Sequence, residues 1–162
     1  MIFLTSMTWA ALPELSHLKP QNPLQAAPPA ERQIGGMAGT GFSLLSVQKV
    51  ESKNGKMERW VLMIGSREGR PIKGLPGYFN AQNNGKTLTM DLAQMHFSKV
   101  DEKLLNSLLK ESKFVGHARM VQDPMDQTLT LTWDLKKPVK MRTIQVKGQK
   151  QTAQILLDLI QK

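Results

Sequence analysis

Cysteine is absent from the 162-residue chain, which removes disulfides, thiolate nucleophiles and cysteine-based zinc sites. The compartment stays open, since periplasmic and cytosolic proteins alike do without cysteine. Histidine is scarce: His17, His96 and His117 are scattered, with no His-x-Glu or His-Glu-x-x-His spacing. No Gly-x-Ser-x-Gly elbow occurs, and no Gly-Lys-Ser/Thr follows the cluster Gly35, Gly36, Gly39 and Gly41. Without an acid–base, nucleophilic or metal constellation the chain is read as a non-enzyme that uses no cofactor. No apolar run approaches the roughly eighteen residues of a membrane-spanning helix. Aromatics are 6% of the chain and are not interleaved with basic residues, which counts against base stacking on nucleic acid.

Negative charge is also in deficit. Against 22 Lys and Arg stand 13 Asp and Glu, for a net charge of +9. In residues 1–42 Lys19 and Arg32 cancel Glu14 and Glu31, so the excess lies in 43–162. From Thr132 onward, Lys136, Lys137, Lys140, Arg142, Lys147, Lys150 and Lys162 face only Asp134 and Asp158. A basic surface favours polyanions: nucleic acid, anionic lipid headgroups or an anionic wall polymer. A solvated basic face that only aids solubility is the plain alternative.

What is present is alternation. In 128–135, Leu129, Leu131, Trp133 and Leu135 point one way and Thr128, Thr130, Thr132 and Asp134 the other. This period of two, in residues that suit a pleated surface, predicts a half-buried strand. The pattern recurs at 87–92 and 154–159, so three strands end in Asp-Leu, with Leu inward and Asp outward. Further strands are expected at 42–50, 58–64, 114–122 and 139–146, with a weaker one in 71–80. Asn54-Gly55 and Asn83-Asn84-Gly85 mark turns. Leu104, Leu105, Leu108 and Leu109 have helical spacing and predict one short amphipathic helix near 99–111, with Ser98 and Asp101 as a capping-box-like start.

Before the strands, Met1–Ala11 is apolar and ends in small residues, like part of a secretory signal without its basic n-region. A truncated signal peptide is preferred over an ordinary disordered end. Residues 12–41, with Pro13, Pro20, Pro23, Pro28, Pro29 and the glycine cluster, read as a linker. Residues 42–162 then form the β domain. Within it, Pro71 and Pro138 are 67 residues apart, as are Asp91 and Asp158. A shared offset at two landmarks predicts a duplicated β unit with the helix between the copies, closed as two antiparallel sheets packed face to face.

Over residues 43–161 the chain resembles the AMIN domain, the β module of cell-wall N-acetylmuramoyl-L-alanine amidases and of type IV pilus secretins. The resemblance rests on the first strand with its Asn-Gly hairpin, on Leu-x-x-Asp-Leu, and on Trp133-Asp134-Leu135-Lys136-Lys137-Pro138-Val139-Lys140 leading to Ile155-Leu156-Leu157-Asp158-Leu159. The family pattern is roughly Arg-Val-Val-Leu-Asp-Leu. The first half keeps Arg59 but has Met63 in place of Asp; the second keeps Asp134 but has Thr130 in place of Arg. The resemblance implies a non-catalytic periplasmic module that binds peptidoglycan or a cell-envelope protein through an exposed sheet face. A structural module of a pilus or secretion assembly is the alternative, and a basic nucleic-acid-binding domain ranks below it. The candidate ligand-binding residues are Arg59, Asp91, Asp134, Lys136 and Asp158, with the three acidic strand ends exposed to the partner. Asp would accept from sugar hydroxyls or peptide amides, and Arg and Lys would meet carboxylates. Each also suits a simpler role in a turn or cross-strand pair.

Overall fold

The computed structural model describes residues 31–39, 41–149 and 152–162. The apolar segment 1–11 and most of the expected linker lie outside them. The described chain runs β1 (Glu31–Gly35), β2 (Phe42–Glu51), β3 (Met57–Ser66), β4 (Phe79–Asn83), β5 (Thr87–Leu92), β6 (Met95–Ser98), α1 (Glu102–Leu109), β7 (Val115–Gln122), β8 (Leu129–Leu135), β9 (Val139–Val146) and β10 (Ala153–Gln161). The strands form two five-stranded sheets, ordered β1-β4-β5-β8-β7 and β6-β2-β3-β10-β9. The fold is mainly β with one short helix, as the alternation predicts.

The core lies between the sheets. Trp60, Leu62 and Ile64 of β3 meet Leu88, Met90, Leu131 and Trp133 of the other sheet in one buried cluster. Each fully buried aliphatic side chain contributes roughly 1.5–3 kcal/mol over exposure, which orients every strand. Between β2 and β3, Gly55 adopts φ +63, a left-handed conformation that glycine takes without strain, and its N–H reaches Ser52 O at 2.9 Å.

The duplication is visible in the strand order, but the copies do not form one sheet each. Reversing the second sheet aligns β9-β10-β3-β2 with β4-β5-β8-β7. Thus β2–β5 correspond to β7–β10, and each sheet joins the first hairpin of one copy to the second hairpin of the other. Most pairs are antiparallel; β6 adds to β2 in parallel.

Three elements depart from expectation. The first sheet begins at Glu31, inside the expected linker, because β1 pairs antiparallel with β4 along Glu31–Gly35. Its short Glu-Arg-Gln-Ile-Gly run carries one large aliphatic residue and so has no clear hydrophobic period. Most of 71–80 makes no strand; only the segment from Phe79 onward pairs with β5. The helix begins one turn later than expected, with Asp101 as N-cap accepting from Leu104 N at 2.7 Å. Ser98 instead turns onto Val100.

Two sheet edges are closed by side chains that imitate a neighbouring strand. On β7, Asn106 of α1 donates Nδ2 to Ala118 O at 2.7 Å and accepts from Ala118 N at 2.9 Å. Glu102 accepts from Met120 N at 3.1 Å. On β9, Gln33 of β1 donates to Met141 O at 3.1 Å and accepts from Thr143 N at 2.6 Å, while Glu31 accepts from Met141 N at 3.0 Å. Such capping blocks edge-to-edge pairing with a second chain. Asn106→Ala is expected to cost about 1 kcal/mol and to leave the β7 edge open. Light scattering should then show more concentration-dependent association than in the unaltered protein.

Candidate functional site

Outside the core the two sheets differ in chemistry. The outer face of the first sheet is polar. One cross-strand row runs Arg32, Gln82, Thr89, Thr132 and Arg119; the next runs Ile34, Asn80, Asp91, Thr130 and Val121. The outward period-two positions of β5 and β8 are nearly all Thr or Asp, which fixes this character from sequence.

At the centre of the second row Asp91 accepts from Thr130 Oγ1 at 2.8 Å and from Asn80 Nδ2 at 3.2 Å. Arg32 Nε in turn donates to Asn80 Oδ1 at 2.8 Å. A carboxylate offers about four lone-pair sites, so Asp91 retains acceptor capacity after these two bonds. Beside it lies a shallow cavity of about 210 Å³, lined by Arg32, Ile34, Tyr78, Phe79, Asn80, Asp91, Ala93 and Thr128. Tyr78 is 53% exposed and Ile34 64% exposed, so the groove has an aromatic and an aliphatic wall beside its polar floor. The combination supplies an acceptor, a guanidinium, an amide, a hydroxyl and a ring face within one hollow.

The second sheet carries the matching position. Asp158 of β10 lies opposite Arg59 of β3 on one side and Arg142 of β9 on the other. It accepts from Arg59 Nε at 2.6 Å and Nη2 at 2.9 Å, and from Arg142 Nη2 at 2.6 Å and Nε at 3.1 Å. Burial pushes its carboxyl up, but the hydrogen bonds from Arg59 and Arg142 outweigh this and hold it below the ordinary carboxylate range. The two clusters are related by the duplication. Thr130 faces Asp91 as Arg59 faces Asp158, and Asn80 stands where Arg142 stands. The residue that departs from the Arg pattern in the second half is thus the hydroxyl that holds Asp91.

The five residues expected to act together are dispersed. Asp91 lines the groove just described. Asp134 sits on the same face opposite Thr87 and pairs with Arg119 at 2.9 Å, both partners about half exposed. Arg59 and Asp158 lie on the other sheet, and there the expectation of an exposed acid fails: the Asp158 side chain is 0% exposed, covered by its two arginines. Lys136 is exposed but its ammonium donates to Ser112 O at 2.6 Å, at the junction of α1 and β7, away from both clusters. It anchors a loop instead of facing a carboxylate.

Arg32, Tyr78 and Asn80 complete the groove, and Thr130 holds Asp91 from beside it. The Thr130 signal was readable, since it is outward-facing in the alternating strand. Asn80 and Arg32 depend on register across β4 and β1, which one sequence does not encode locally. Among the described residues no group of three or more His, Asp or Glu is placed to hold a metal ion, and no helix is long and apolar enough to cross a membrane. Set beside known proteins, the chain matches no protein-family model, and no curated protein is detectably similar to it in sequence.

Proposed function

We propose that the chain is a non-catalytic binding and localisation module of the bacterial periplasm, of the AMIN kind, that holds peptidoglycan through the outer face of the first sheet. The Asp91 groove carries this reading. Sugar hydroxyls can donate to Asp91 and accept from the Arg32 guanidinium, while an apolar sugar face rests on Tyr78. A stem-peptide carboxylate would meet Arg32, whose fork suits two parallel bonds. The flat hydroxyl and amide row through Gln82, Thr89 and Thr132 extends the polar surface beyond one sugar unit.

Co-sedimentation with insoluble peptidoglycan, beside capture on duplex DNA at low and moderate salt, tests the reading. Wall retention that survives moderate salt, with DNA released, is the expected result. Asp91→Ala and Tyr78→Ala should each weaken retention by about tenfold, equivalent to one or two lost hydrogen bonds or one ring contact, with the fold intact. DNA held while wall material is ignored would reverse the assignment. Loss from both would place the function with a protein partner in a pilus or secretion assembly.

A further inference from the structure

The outer face of the second sheet is unlike that of the first. Its rows read Ser46, Met63, Gln154 and Val146; then Gln48, Val61, Leu156 and Ile144; then Val50, Arg59, Asp158 and Arg142. Met57, Ile160 and Lys140 follow. Antiparallel sheets with one face in solvent ordinarily turn polar residues outward. Here aliphatic and thioether side chains fill most outward positions of β3, β9 and β10, and Val50 and Val146 are 51% and 37% exposed. The helix packs on β7 of the other sheet, so no described element covers this face.

The net charge on this face is positive. The single carboxylate, Asp158, is buried and paired with both Arg59 and Arg142, so these two and Lys140 outnumber it. Arg59 and Arg142 each use Nε and Nη2 on Asp158, and their Nη1 groups make no hydrogen bond among the described residues. The buried carboxylate therefore fixes two guanidinium planes in place beside an aliphatic row, with donors left over.

We propose that this face docks a protein segment presenting a carboxylate among aliphatic side chains. A pre-oriented arginine pair loses little freedom when it accepts such a group, and the surrounding apolar row would desolvate the contact. The charge pattern disfavours the other occupants. A second copy would set Arg59, Arg142 and Lys140 against the same three cations. Residues 1–11 carry no charged side chain to meet the arginines. Glu14, beside Leu12 and Leu15, has one. Occupation of the face by residues 12–30 would therefore overturn the proposal, read as tighter peptide binding once residues 1–30 are removed. An anionic bilayer would attract the cations, but Val61, Ile144 and Leu156 sit mid-strand and are half-buried among their neighbours, so they offer no projecting wedge to insert. The inference does not rest on the wall-binding reading, because it concerns the opposite side of the sandwich.

The test uses the full chain, isotopically labelled, and synthetic peptides with a Leu-Val-Glu-Val-Leu core or with Gln or Lys replacing Glu. Amide shifts locate binding and fluorescence anisotropy measures it. The Glu peptide should shift Val61, Ile144 and Leu156 and bind about tenfold more tightly than the Gln peptide, with the Lys peptide weaker still. Arg142→Gln, which leaves Arg59 on Asp158, should close most of the gap between Glu and Gln. Leu156→Thr, an outward substitution with the core untouched, should weaken both peptides alike. Equal affinity for Glu and Gln, shifts confined to the first sheet, or no peptide bound would overturn the proposal. So would displacement of the Glu peptide by phosphatidylglycerol vesicles, or a dimer formed through this face.

Discussion

Asp158→Ala is expected to destabilise the protein by about 3 kcal/mol and to lower its melting temperature by on the order of 10 °C. The substitution leaves Arg59 and Arg142 packed side by side with nothing between them, so lost attraction is joined by like-charge repulsion. Arg142→Gln should cost much less, since Arg59 keeps both carboxylate oxygens engaged and Arg142 is the more exposed of the two. The pH dependence has a definite sign. The Asp158 carboxyl is held below its unfolded range, so its contribution is fully present above about pH 4 and fades as pH falls through its lowered folded-state value. Urea midpoints measured from pH 7 downward should stay level to about pH 4 and then drop. In Asp158→Ala the part of that drop due to this carboxyl should vanish.

Glu58→Ala should cost about 2–4 kcal/mol through a different mechanism. Glu58 sits on the inward side of β3 and is 1% exposed. It accepts from Ser112 Oγ at 2.6 Å and from Lys113 N at 2.5 Å. Ser112 Oγ in turn accepts from Val115 N at 2.9 Å, so one carboxylate ties the second sheet to the start of β7 in the first. Alanine would strand a buried hydroxyl and a part-buried amide, and unsatisfied donors of this kind are more costly than the bond they lost. Glu58→Gln should recover part of the stability, because its amide oxygen can still accept. Thermal unfolding of the three proteins side by side checks the order: unaltered protein above Gln above Ala.

The elements were legible because alternation is a local property. Leu129, Leu131 and Trp133 announce their inward face without reference to any other strand, and Leu105, Leu108 and Leu109 of α1 do the same at helical spacing, while Leu104 faces solvent. The common offset of Pro71 with Pro138 and of Asp91 with Asp158 revealed the duplication. What alternation cannot give is which strand lies beside which. The burial of Asp158 follows from Arg59 and Arg142 being its direct neighbours in register, and Arg59 is 99 residues away in sequence. The same ignorance of register hid Asn80 and Arg32 beside Asp91. Lys136 misled for another reason: a long flexible side chain can reach a distant backbone carbonyl, and its position just past the end of β8 does not fix where its ammonium goes. β1 escaped because an edge strand whose side chains cap another strand needs Glu and Gln where a sheet strand would normally carry aliphatics.

The exchange of hairpins between halves bears on how the molecule is made. As the ribosome releases the polypeptide, β2 and β3 emerge well before β10, the strand that flanks β3. The nascent product must keep that greasy ribbon half-clad until β4 to β9 have passed and β10 follows, and long-range pairing of this sort is slow to nucleate. A product cut short in the interval between α1 and β9 would lack both strands that finish the second layer, and it would remain a client for chaperones instead of becoming a smaller working version of the protein.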